Sequence, residues 1–193
     1  KYLGGVDGFP IMLDTKDPHA IIDTVLMLQP GLGGVNLEDI SQPKCFYILD
    51  TLREKAEIPM WHDDQQGTAT VILAALMNAL KVVGKEKGDV KIAFIGAGAS
   101  NIACSRLIFR WGVDPAKCYM VDINGMLGKH RKDYEMRKAE FKDAWKYCNI
   151  TNEDGREGDK PEALKGADVA ICFSQSGPGI VLPEWIKTMA KDP

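Results

Sequence analysis

The sequence predicts an α/β chain: the parallel-sheet end of one domain running into a dinucleotide-binding domain of Rossmann type, truncated at both ends. Three observations carry this. Short apolar runs alternate with stretches of helical period, the order that a parallel sheet demands. Two of the early runs end in paired acids, Glu38-Asp39 and Asp63-Asp64. Later, a glycine turn stands between an apolar run and a helix.

The elements follow in order. "GVDGFPIMLD" reads as a strand, and "KDPHAIIDTVLMLQ" as a helix with Asp17 as its cap and Pro18 at its first position. "GLGGVNLED" reads as a short buried strand ending in Glu38 and Asp39. "PKCFYILDTLREKA" is a helix with Phe46, Leu49 and Leu52 on one side, and "IPMWH" is a strand that again ends in acids. After Gly67, "TATVILAALMNALKVV" predicts an apolar helix of about four turns, capped by Thr68. "GKEKGD" is a charged hinge and the best boundary on composition. "VKIAFIGAGASNIACSRLIFRWG" gives strand, turn and helix, and "KCYMVD" a second strand. "DYEMRKAEFKDAWKYC" predicts one helix with Phe141, Trp145 and Cys148 on a face. "TNEDGREGDKPEALKGA" reads as mostly surface, "DVAICFS" as a third strand, and "SGPGIVLPEWIKTMA" as a loop and a helix.

Composition narrows the class. The chain has 193 residues, 45% of them apolar, and a net charge of −3 with both signs mixed along its length. That suits a folded chain with neither a nucleic-acid nor a membrane-surface character. No apolar run approaches the roughly 20 residues of a membrane span, and no signal-peptide pattern opens the chain. The five cysteines have no metal spacing, which suits buried small residues in a reducing cytoplasm. A start at Lys1 and a stop at a proline suggest an excised piece of a longer protein.

In the glycine turn, Gly96 permits the bend and Gly98 lets a pyrophosphate approach the backbone. There the N–H groups and dipole of the following helix, from Ala99 and Ser100 onward, favour negative charge. The third glycine of the usual pattern is replaced by Asn101. A second strand ends at Asp122, 24 residues past Gly98, where an acid can accept hydrogen bonds from an adenosine ribose. The alternative is a glycine turn that binds nothing. The basic run Lys129, His130, Arg131 and Lys132 could supply a partner for a 2′-phosphate, but reads more simply as a solvated face.

Parallel strands place both acid pairs at the carboxyl edge of the sheet, where ligands bind. Four acids together invite a hard divalent cation such as Mg²⁺ or Mn²⁺. Equally, they could cap helices or face solvent. His62 reads as a packing or orienting residue, since a hard oxygen site does not need it.

These residues bring a family into view. "GVDGFPIMLDTKDP", "GGVNLEDIS", "HDDQQGTA" with "VILAALMNALKVVGK", and "GAGASNIA" strongly resemble the malic enzymes, in their short bacterial and archaeal form. The resemblance covers nearly the whole chain. It implies residues 1–66 as the C-terminal part of a malate- and metal-binding α/β domain. Residues 67–193 would be a linking helix and the N-terminal part of a Rossmann NAD(P)-binding domain. The implied reaction is oxidation and decarboxylation of L-malate to pyruvate and CO₂, with NAD, or alternatively NADP, as cofactor. The implied metal ligands are Glu38, Asp39 and Asp64, with Asp63 in support and Asp64 also facing the cofactor. Gly96, Gly98, Ala99, Ser100 and Asn101 would cradle the pyrophosphate, Asp122 would sit beside the ribose, and Ser174 and Ser176 would belong to a Ser-x-Pro-Gly loop near the cofactor. The family's general-base lysine and proton-donating tyrosine would lie upstream of "GVDGFP". Lys1 takes neither role, and residues 1–193 alone are expected to be inactive. A cytoplasmic homodimer or larger assembly is implied for the full-length protein. Malolactic chemistry with retained NAD, and a non-catalytic dinucleotide sensor, are the rival readings.

Overall fold

Asp17 opens the fold as its position predicts. In the computed structural model, which describes residues 4–193, its carboxylate accepts from the His19 N–H at 3.0 Å. Helix α1 (Pro18–Leu28) follows with proline at its start. Strand β1 (Val35–Leu37), helix α2 (Lys44–Lys55) and strand β2 (Met60–His62) complete a first lobe. β1 and β2 pair in parallel, with Leu37 opposite His62. Ile21, Ile22 and Val25 of α1 pack with Ile48, Leu49 and Leu52 of α2 over Leu37 and Met60. β1 is buried only at Leu37, so it is a half-covered strand and not a fully buried one.

The strand expected over residues 5–14 is not formed. That segment runs exposed, with Val6, Phe9 and Met12 uncovered. A strand is held by a neighbouring ladder and by cover on one face, and among the described residues this segment has neither. Lys1 lies outside the described residues.

The long apolar helix starts earlier than predicted and without a Thr68 cap. Asp63–Gly67 wind as a π turn directly out of β2, and helix α3 (Thr68–Val83) continues from it with Thr68 already helical. The Gln66 side chain takes the capping role, accepting from the His62 N–H at 2.7 Å. The combined run Asp63–Val83 has 21 residues and is long and apolar enough to cross a membrane by length and composition, contrary to the sequence reading. Ala69, Leu76 and Leu80 instead pack into the main core, in which the next helix also takes part. Gly84, left-handed at φ +67°, ends it.

The second lobe contains β3 (Ile92–Ile95), α4 (Ala99–Trp111), β4 (Tyr119–Asp122), β5 (Gly125–Met126), α5 (Lys132–Met136), α6 (Lys142–Ile150), α7 (Lys160–Leu164), β6 (Val169–Cys172) and α8 (Pro183–Ile186). The sheet runs β5-β4-β3-β6, with β3 parallel to both neighbours and β5 an antiparallel edge. The Asn124-Gly125 pair is the hairpin signal that would have disclosed β5. The single helix expected over 133–148 is two. At the break between α5 and α6, Arg137 ion-pairs with Glu140 at 2.8 Å and covers the Phe141 ring, which stands edge-on to Tyr134. The stretch read as mostly surface contains α7, whose Ala163 and Leu164 are fully buried. Cys45, Cys104, Cys118 and Cys148 are buried and free, while Cys172 is exposed. Burial pushes the Cys118 thiol up to about 12.

Candidate active site

The parallel pairing of β1 with β2 brings both acid pairs to one sheet edge. The Asp39 N–H donates to Asp64 Oδ2 at 3.2 Å, and the Glu38 carboxylate accepts from Asn36 Nδ2 at 3.2 Å. Asp39 is held left-handed at φ +56°, a conformation that costs a residue with a side chain and recurs at functional sites. The Asp63 carboxylate folds over Gly67, in the space a methyl group there would take. Glu38 and Asp39 are exposed, and the Asp64 side chain is 44% exposed. All are hard oxygen donors, the right chemistry for Mg²⁺ or Mn²⁺. The three carboxylates are not gathered, however: among the described residues, no three acidic, histidine or cysteine side chains stand close enough to hold an ion.

His62 is fully buried beneath this edge, its Nδ1 3.8 Å from Asp64 Oδ2, and neither ring nitrogen has a hydrogen-bond partner. Burial pulls its pKa down, against the opposing attraction of Asp64, Glu38 and Asp63. The ring therefore packs as a neutral group.

The glycine turn lies at a topological switch point, with β4 on one side of β3 and β6 on the other. Gly96 has φ +108° and donates its N–H to the Val121 carbonyl at 2.7 Å. A Cβ there would strike the Phe173 carbonyl, so the position admits glycine only. Beside Gly98 the space is open, and no side chain caps α4. The N–H groups of Ala99, Ser100 and Asn101 thus open α4 without a side-chain cap. The Asn101 side chain is committed elsewhere. It is fully buried, and its Nδ2 donates to the carbonyls of Ile95, Gly96 and Ile171, tying the helix to both strand ends. Only its backbone can join a cradle. Ser100 Oγ donates to the Asp64 carbonyl at 3.2 Å, a direct link between the acid edge and the glycine turn. Ser174 abuts Gly96 and is exposed, as is Ser176 on the same loop.

Asp122 closes β4 with its acceptors occupied. Oδ1 accepts from Arg131 Nη1 and the Asn124 N–H, and Oδ2 from Arg131 Nη2 and the Tyr134 hydroxyl, all at 2.8–2.9 Å. A carboxylate offers about four lone-pair sites, so the protein fills them all. Arg131 therefore departs from the expected solvated run: it is 7% exposed, forked onto Asp122, bonded to Asp133 and laid over the Tyr134 ring. Lys129, His130 and Lys132 are exposed, as the run predicts. Arg131 holds the Asp133 carboxyl below its ordinary value. This clasp escaped sequence reading, because a buried arginine amid exposed basic neighbours leaves no pattern.

Comparison with known proteins fits this arrangement. Residues 65–191 match the family model of the malic enzyme NAD binding domain. A curated NAD-dependent malic enzyme of Geobacillus stearothermophilus is 45% identical over the whole chain, which spans 38% of that relative. An NADP-dependent malic enzyme of Salmonella typhimurium is 40% identical, again over the whole chain, which spans 24% of it. The crystal structure of Entamoeba histolytica malic enzyme superposes with a TM-score of 0.92 at 48% identity, covering all of this chain and 40% of that one. The chain spans less than half the length of each relative and belongs to the malic enzyme family.

Proposed function

We propose that this chain serves the oxidative decarboxylation of L-malate to pyruvate and CO₂ with reduction of NAD, in the presence of Mg²⁺ or Mn²⁺. The observation that carries the reading is the Ser100–Asp64 bond, which sets a row of exposed carboxylates without an ion partner against an uncapped helix N-terminus at a sheet switch point. Glu38, Asp39 and Asp64 would hold the cation once their side chains turn together, with Asp63 supporting the turn that carries Asp64. A bound divalent cation supplies positive charge beside the substrate's hydroxyl oxygen and, after oxidation, beside the carbonyl oxygen. The chain's own residues orient the cofactor. The N–H groups of Ala99, Ser100 and Asn101 fix the pyrophosphate, Gly96 and Gly98 permit its close approach, Ser174 and Ser176 flank it, and Asp122 stands at the ribose end. Asp122 would accept a ribose hydroxyl once Arg131 or Tyr134 gives up one of its bonds.

The division of the chain at residues 66 and 67, a cytoplasmic location and a homodimeric or larger full-length assembly belong to the same proposal. So does the inactivity of residues 1–193 alone, since the family resemblance puts the general base and proton donor outside them. Incubation of the complete enzyme with L-malate, NAD and Mn²⁺ tests the reading. Equal yields of NADH and pyruvate are expected. Lactate without free NADH would make the chemistry malolactic, and unchanged malate would leave only a sensing role.

A further inference from the structure

A cleft of about 660 Å³ lies between α2, β2, the π turn, the start of α3, α4 and α6. That is the size of a metabolite site. None of Glu38, Asp39, Asp64 or the glycine-turn residues lines it. Its wall includes Trp61, whose residue is 43% exposed. Four cations, Arg53, Arg106, Arg110 and Lys146, face two carboxylates, Asp50 and Asp143. Arg106 is spent on both carboxylates, Asp143 at 2.6 Å and Asp50 at 3.8 Å, and on the Phe46 ring. Arg53 gives only its Nε, to the Met60 carbonyl at 3.3 Å. Arg110 and Lys146 have neither an ion pair nor a side-chain hydrogen bond among the described residues.

The second observation concerns Gln65, which also lines this cleft. Its side chain is fully buried, yet neither Nε2 nor Oε1 has a hydrogen-bond partner. Folded proteins rarely bury an amide unpaired, because desolvation is then uncompensated. A ligand in the cleft would give this amide the partner it lacks.

We infer that the cleft binds a small phosphate-bearing anion. Four cations against two carboxylates leave a surplus of two positive charges, which matches a phosphate dianion and exceeds what one carboxylate needs. The Arg53 fork supplies paired donors, Arg110 and Lys146 supply charge, and the Gln65 amide donates from the floor. The site touches the π turn that carries Asp64 and the helix that carries Ser100, so its occupancy acts on both without meeting the reacting atoms.

Inorganic phosphate is the probe, titrated into the complete enzyme with NAD at saturation, so that the glycine turn is filled. Calorimetry should show saturable binding, and tryptophan emission should change with the same midpoint, a change that Trp61→Phe abolishes. The double variant Arg110→Gln/Lys146→Gln should keep its melting temperature and its malate turnover yet bind phosphate at least tenfold more weakly. Gln65→Leu should melt higher, having lost a buried unpaired amide, and also bind more weakly. Absent or non-saturable binding, unchanged affinity in the double variant, or phosphate displaced by rising NAD would each overturn the inference. Gln65→Leu with unaltered affinity would overturn it too.

Discussion

The two lobes treat their polar groups in opposite ways. In the second, Asp122 is clasped by Arg131 and Tyr134, and the Asn101 amide is bonded to three carbonyls. In the first, Glu38, Asp39 and Asp64 lie open, with single neutral contacts at Glu38 and Asp64. The clasped groups belong to the folded framework. Exposed carboxylates at neighbouring strand ends contribute little to the fold, and a cation bound as proposed would offset their repulsion. Substitution should therefore damage stability in one lobe and ligand binding in the other.

The sharpest contrast lies within the glycine turn. Gly96→Val adds a side chain at φ +108° against the Phe173 carbonyl and should cost more than about 4 kcal/mol, which thermal unfolding would read. Gly98→Ala meets open space and should stay within about 1 kcal/mol of the parent, while raising the KM for NAD by crowding the pyrophosphate. Equal destabilisation by the two would remove the distinction between framework and ligand contact.

Next in size is the clasp. Arg131→Met leaves the largely buried Asp122 carboxylate without its ion partner, and about 3–5 kcal/mol should be lost in denaturant unfolding. Asp122→Ser in the complete enzyme should also lower the ratio of kcat/KM for NAD over NADP, because the carboxylate repels a 2′-phosphate. A parent preference for NADP would overturn the choice of cofactor. An NAD preference unmoved by the substitution would leave the choice and remove Asp122 as its cause.

Smaller again is the Lys85–Asp168 pair, 2.8 Å apart and mostly buried. Burial raises the Asp168 carboxyl, but the Lys85 ammonium and the Lys91 N–H outweigh it and hold the group below its ordinary 3.8. A lowered folded-state pKa gives stability that is complete above the unfolded value and lost as pH falls through the folded one. Lys85→Met should cost about 1.5–3 kcal/mol at neutral pH, and the gap should narrow in strong acid to what the Lys85 bonds to the Lys191 and Asp192 carbonyls contribute. The smallest effect belongs to the acid edge: without metal, Glu38→Gln and Asp39→Asn should each stay within about 0.5 kcal/mol of the parent.

Local rules explain what the sequence disclosed. The Asp17-Pro18 start of α1 and the strand–glycine–helix order around Gly96 depend on neighbours close in the chain, whereas Phe46, expected on one face of α2 with Leu49 and Leu52, packs into the main core and they into the first lobe's. The failures depend on distant ones. Residues 5–14 have strand composition, but a strand needs a partner. Thr68 is a good cap, yet Gln66 had already folded back to His62. Arg131 looked solvated because only the fold brings Asp122 under it. The acid pairs were legible as pairs, and their meeting at one edge followed from parallel strands. Whether the carboxylates converge did not follow, since exposed rotamers leave no mark in the sequence, and among the described residues they are not gathered.

If the acid edge holds a divalent cation, as proposed, the complete enzyme binds Mn²⁺ there. Calorimetric titration should give one Mn²⁺ per chain. Asp64→Asn, which keeps the shape and removes the charge, should weaken that binding by about 100-fold, the scale of a lost ligand or its support. Unchanged Mn²⁺ affinity in Asp64→Asn would contradict the account.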